Sequence, residues 1–170
     1  SRVRIGSGGN VLITGFVIGS AEAKQVLIRG IGPALTGLGV QGTLANPQLR
    51  LYRGSEVIAQ NDDWSTGADS ATLASAFQRL GAFALAPGSK DAALLARLPA
   101  GQFTLQISSA TTGTGVGLAE LYEIDPGIGR TLNLSTRGLV RGGDEVLIGG
   151  VVVRGPGPKR LLIRALGPTL

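Results

Sequence analysis

Residues 10–35, NVLITGFVIGSAEAKQVLIRGIGPAL, return at 145–170 as EVLIGGVVVRGPGPKRLLIRALGPTL, displaced by 135 residues without a gap. Twelve of these 26 positions are identical, among them Val11/Val146, Leu12/Leu147, Ile13/Ile148, Gly15/Gly150, Lys24/Lys159, Arg29/Arg164, Gly32/Gly167 and Pro33/Pro168. Arg2 and Gly8 find Arg137 and Gly143 at the same spacing. Self-similarity at a fixed period is the signature of an array, in which each unit buries surface against its neighbours. The chain divides accordingly into one repeat unit, residues 1–135, and the opening strands of a second copy, residues 136–170. The alternative is internal pseudo-symmetry, with residues 136–170 supplying strands that complete a single sandwich.

Within the unit the hydrophobic periods are mostly those of strands. QFTLQIS (102–108) alternates Phe103, Leu105 and Ile107 with polar residues, the pattern of a half-buried strand behind the turn Pro99–Gly101. PQLRLYRGSEVIAQ reads as two strands around Arg53–Glu56, a hairpin. VLITGFVI, QVLIRGI, VLIGGVVV and RLLIRAL are more continuously apolar, as central strands are. Gly15 and Gly150 sit inside such strands, where glycine marks a bulge or a close approach of chains. In DSATLASAFQRLG, Leu73, Ala76, Phe77 and Leu80 fall at helical spacing, with Asp69 or Ser70 as N-cap and Gly81 as terminator. The expected fold is all-β, a sandwich or jelly roll of about ten strands with one short helix over an open end.

Composition narrows the chemistry. The chain has no His, Cys or Met, which removes the usual neutral-pH acid/base, thiolate catalysis, zinc–sulfur sites and disulfides. Without His no serine triad forms, and nothing singles out a carboxylate pair for glycoside hydrolysis, so an enzyme is not expected. The formal charge of +5 is unevenly placed: residues 1–135 carry ten Lys/Arg against nine Asp/Glu, and residues 136–170 carry six against two. The basic residues lack interleaved aromatics for stacking bases, which argues against nucleic acid as a partner. No apolar run approaches the length of a membrane span.

Three motifs bear weighing. VLIRGIGPAL carries Gly30-x-Gly32, but the third glycine of a dinucleotide fingerprint is missing and the second copy has Ala165 in place of Gly30, so a strand-ending turn is the better reading. NDDWSTG (61–67) gathers the oxygen donors Asn61, Asp62 and Asp63: Asp62 and Asp63, joined by Asp91 from GSKDAAL, could hold calcium, or the loop could be an Asx turn with Trp64 as its packing anchor. Arg29 and Arg164 lie inside apolar strands, where a guanidinium needs a carboxylate partner. Asn133-Leu-Ser135 matches a glycosylation sequon, a pattern frequent by chance.

Taken in order, NLSTRGLV, VLIGGVVV, KQVLIRGIGPAL, NPQLRLY, NDDW, GAFAL, GSKDAALLARLPAGQFTLQIS and GVGLAELYE resemble a β-sandwich module found in tandem in large secreted bacterial surface proteins. LRLYRGSEVIAQNDDW and LPAGQFTLQIS are in turn similar to pre-peptidase C-terminal-type domains. The resemblance spans nearly the whole chain and implies a secreted or cell-surface, non-catalytic module. Its expected partners are copies of itself, in a fibre, stalk or filament; the alternative is an accessory module that binds a surface glycan for a secreted enzyme. Because a lone two-stranded hairpin is marginal in water, something must cover residues 145–170. Val146, Ile148, Leu162 and Arg164 are therefore expected to be buried, either internally or against another chain by strand addition.

Overall fold

The computed structural model describes residues 1–19, 22–124, 131–143, 145–153 and 156–167. Among them nine strands form: β1 (Arg2–Ile5), β2 (Leu12–Ile18), β3 (Lys24–Ile31), β4 (Pro47–Arg53), β5 (Glu56–Asn61), β6 (Ala92–Leu98), β7 (Gly101–Ser109), β8 (Gly115–Glu123) and β9 (Thr131–Arg137). They make two antiparallel sheets, sheet one of four strands in the order β1-β8-β3-β6 and sheet two of five strands in the order β5-β4-β7-β2-β9. This is a β-sandwich carrying one α-helix, α1 (Ser70–Leu80), and a 3₁₀ helix at Pro33–Leu38.

The alternating strands face one core. Phe103, Leu105 and Ile107 of β7 meet Leu12, Phe16 and Ile18 of β2 and Val26 and Ile28 of β3 between the sheets, with Phe16 and Phe103 stacked 5.6 Å apart. The β4–β5 hairpin turns through Gly54, whose φ of 61° is left-handed and suits glycine.

Strand β3 is buried along almost its whole length, because sheet one is covered on both faces. Its other face carries Leu27 and Ile31, packed with Leu35, Trp64, Leu73, Phe77, Leu80, Ala93 and Ile124 in a second core. The helix lies where its period places it, with Leu73, Ala76, Phe77 and Leu80 inward and Gly81 at φ 69° closing it. Its location corrects the expectation: α1 roofs the outer face of sheet one rather than an open end of the sandwich. A strand apolar on both sides needs cover on both.

Gly15 marks a close approach and not a bulge. It pairs with Ser135, and a Cβ there would stand 3.0 Å from Ser135 Oγ; the register shift in this ladder falls one turn of the pleat later, between Val17 and Ile18.

The second-copy segments behave unlike their first-copy counterparts. VLIGGVVV and RLLIRAL form no strand among the described residues, apart from one isolated bridge at Ile148. The burial expected there is absent in the single chain: Val146 is 42% exposed, Ile148 44% and Leu162 87%, and Arg164 is exposed. These four residues are thus not packed inside the single chain. Pro168, the counterpart of Pro33, lies outside the described residues.

Candidate assembly surface

The sandwich presents one unusual edge. Strand β9 closes sheet two alongside β2, and β1 closes sheet one alongside β8. The chain leaves β9 at Arg137 and passes beside its own first residues, where Ser1 Oγ and Thr136 Oγ1 stand 2.9 Å apart. Further on, Arg2 and Ile148 exchange two backbone hydrogen bonds, both 2.8 Å. Leu147 packs against the inter-sheet core, and Glu145 lies 3.4 Å from both Arg4 and Arg141. Among the described residues beyond Ile148, Val151, Val152, Val153, Leu161, Leu162, Ile163 and Leu166 are all exposed.

The same residue types show what these positions require when packed. Arg29 is fully buried. Its guanidinium carbon sits 4.9 Å from the Phe77 ring centroid and 4.2 Å from that of Phe83, and Nη1 donates to the Phe83 carbonyl at 2.6 Å. Nε lies 2.8 Å from Glu120 Oε2, although its N–H is not aimed at that oxygen, so the contact is ionic more than a well-formed hydrogen bond. Lys24, also buried, pairs with Glu123 at 3.0 Å. Burial works to raise the Glu123 carboxyl, but Thr131, through its side chain and its backbone N–H donating at 2.6 Å, and the Lys24 ammonium outweigh it and hold the group below the usual carboxylate value. The Thr131 bond also ties the start of β9 to the end of β8. Their counterparts Arg164 and Lys159 are exposed, in a stretch of equal apolarity.

The NDDW loop is occupied by its own structure. Asp91 is fully buried, its Oδ1 accepting from the Gly32 and Ala34 N–H groups at 2.8 and 3.3 Å and its Oδ2 from Ser89 at 2.8 Å. That carboxylate fastens the start of the 3₁₀ helix, where a Cβ on Gly32 would lie 2.1 Å from the Leu44 carbonyl oxygen. Asp63 Oδ2 holds Lys90 at 2.6 Å, an exposed ammonium whose pKa rises through that hydrogen bond. Asp62 points to solvent. Asn61 Oδ1 accepts from the Ala93 N–H at 3.0 Å, stitching the loop to β6. Among the described residues no three acidic groups are placed to hold one metal ion. Trp64 is an anchor: it is buried, 5.4 Å from Phe77, and its indole N–H reaches the Ala86 carbonyl at 3.2 Å.

Among the described residues no helix is long and apolar enough to cross a membrane. Asn133 of the sequon lies exposed on β9. Sequence reasoning missed Arg4, Glu145 and the Ser1–Thr136 contact. The repeat spacing pairs residue 1 with residue 136, but only folding brings the two together. Compared with known proteins, the chain finds no significant match to a family model, a curated protein or a solved structure.

Proposed function

We propose that this chain is a non-catalytic, extracellular structural module that works by associating with copies of its own repeat, through packing or strand addition, as part of a surface fibre, stalk or filament. One observation carries the reading. Residues 145–167 resemble the sequence of β2 and β3, which are core strands in the first copy, yet Val146, Ile148, Val151, Val152, Val153, Leu161, Leu162, Ile163 and Leu166 are exposed in this chain. Burying a side chain such as Leu162 or Ile163 is worth roughly 1.5–3 kcal/mol each, so a partner that covers them gains several such terms together. Unpaired extended backbone adds donors and acceptors that invite another strand. The extracellular setting is supported by the resemblance to secreted bacterial modules.

Light scattering across a concentration series tests this. The chain is expected to associate as concentration rises, and Leu162→Asp with Ile163→Asp to reduce association without lowering the melting temperature. A monomer at all concentrations would refute the proposal.

A further inference from the structure

The contact between the first copy and the opening of the second is reciprocal. In the β2–β9 ladder Ile13 pairs with Arg137, and at the isolated bridge Arg2 pairs with Ile148. Under the 135-residue shift Arg2 becomes Arg137 and Ile13 becomes Ile148. The two pairs are thus one contact with the copies exchanged. Such reciprocity defines an isologous interface, the product of a two-fold axis. Positions that lie on such an axis touch their own counterparts, and two do. Ser1 and Thr136 are 2.9 Å apart through their hydroxyls; a Cβ on Gly138, the counterpart of Val3, would stand 3.1 Å from Val3 Cγ1. Asn10 and Leu139, the counterparts of Glu145 and Arg4, likewise line one shallow depression.

We infer that consecutive copies of this repeat pack about a local two-fold axis and exchange strands, and that residues 149–153 accept a strand of β9 type running antiparallel and collinear with β1. The occupant follows from the symmetry. In the first copy, Thr14–Ile18 are covered by Thr136–Thr131. The two-fold mate of that ladder sets Gly149–Val153 against Ser1 and the positions that would precede it. The register transfers: Gly150, like Gly15, faces the strand's serine, whose side chain needs the space that glycine leaves. Val151, Val152 and Val153, the counterparts of three paired β2 residues, are 60%, 83% and 49% exposed and open to such a strand.

This deepens the reading of residues 145–167 as an assembly surface, and the test separates the two. The full chain is extended ahead of Ser1 by Thr-Leu-Asn-Leu-Ser, the sequence of Thr131–Ser135, and amide exchange is followed by NMR in the extended and unextended chains. Because Arg2 and Ile148 exchange both their hydrogen bonds, antiparallel pairing makes Gly150 and Val152 the next residues bonded to the new strand. Their amides are expected to slow at least tenfold, with Gly149 and Val151 unchanged. Extension by Thr-Pro-Asn-Pro-Ser, or Gly150→Val in the extended chain, is expected to abolish the effect. Unchanged exchange at Gly150 and Val152, or equal slowing with the proline extension, overturns the two-fold arrangement, whether or not the unextended chain associates in light scattering. Slowing in the predicted alternation supports the arrangement even if that chain stays monomeric, an outcome that would overturn the self-assembly reading alone.

Discussion

Arg29 and Arg164 occupy the same position of the repeat, in LIRGIG and LIRALG, and the structure gives them opposite energetics. Arg29 has no exposed surface, a carboxylate 2.8 Å away and two phenylalanine rings against its plane. Arg29→Met keeps much of the stem's volume but strands Glu120, whose side chain is 17% exposed, beside an apolar neighbour. Removing one member of a buried pair costs roughly 3–5 kcal/mol; partial access of Glu120 to water places the expectation near about 3 kcal/mol. Arg164 is exposed, and a surface substitution there should stay within about 0.5 kcal/mol. Urea denaturation of dilute, monomeric protein measures both, and an unchanged slope licenses the comparison. The double variant Arg29→Met/Glu120→Leu should recover part of the loss, because the carboxylate is then removed with its guanidinium; recovery stays partial because the Tyr122 hydroxyl and the Ser1 ammonium lose Glu120 as well. If Arg164→Met costs as much as Arg29→Met, residues 159–167 pack as β3 does and the exposed segment described above is wrong.

Phe77→Ala removes a ring shared by Trp64 and Arg29 and should cost roughly 3–5 kcal/mol in the same assay; a loss below about 1 kcal/mol would show that the second core is not closed around it. Gly32→Ala drives a methyl into the Leu44 carbonyl and should destabilise by roughly 1–3 kcal/mol or more, by thermal melt, and a neutral result would refute the close approach. Glu123 is held below its ordinary value, so its contribution is full above the unfolded carboxylate pKa and is lost as pH falls through the lower folded one. Glu123→Gln should therefore weaken the chain at neutral pH and flatten its acid limb, and parallel pH–stability curves for variant and parent would refute the assignment. Because Asp91 is spent on Gly32, Ala34 and Ser89, Asp91→Ala should lower the melting temperature while chelation leaves the parent unchanged; an EDTA-sensitive melt would restore calcium as a ligand of the loop.

Much of the unit was legible because its signals are local. The period-two alternation in QFTLQIS, the hairpin glycine Gly54 and the helical spacing of Leu73, Ala76, Phe77 and Leu80 each depend on residues a few positions apart. So does the continuous apolarity of QVLIRGI, which announces a strand buried on both faces. What covers the second face does not follow from that pattern, and α1 was placed at the wrong surface for this reason. Asp91 looked like a metal ligand because a carboxylate near NDDW carries no mark of where its oxygens point. They point at the N–H groups of Gly32 and Ala34, almost sixty positions earlier in the chain.

The repeat shows the same division. Sequence alone determines that residues 145–167 have the composition of core strands, since apolarity, Gly150 and Arg164 are properties of the residues themselves. Whether such a stretch is buried depends on which strands lie beside it, and these come from distant parts of the chain or from outside it. β3 finds β6 and β8; its copy finds neither among the described residues. The reciprocal contact of Arg2 with Ile148 and of Ile13 with Arg137 is likewise a fact of three dimensions, because a fixed spacing along a chain says which residues are equivalent but not that equivalents meet.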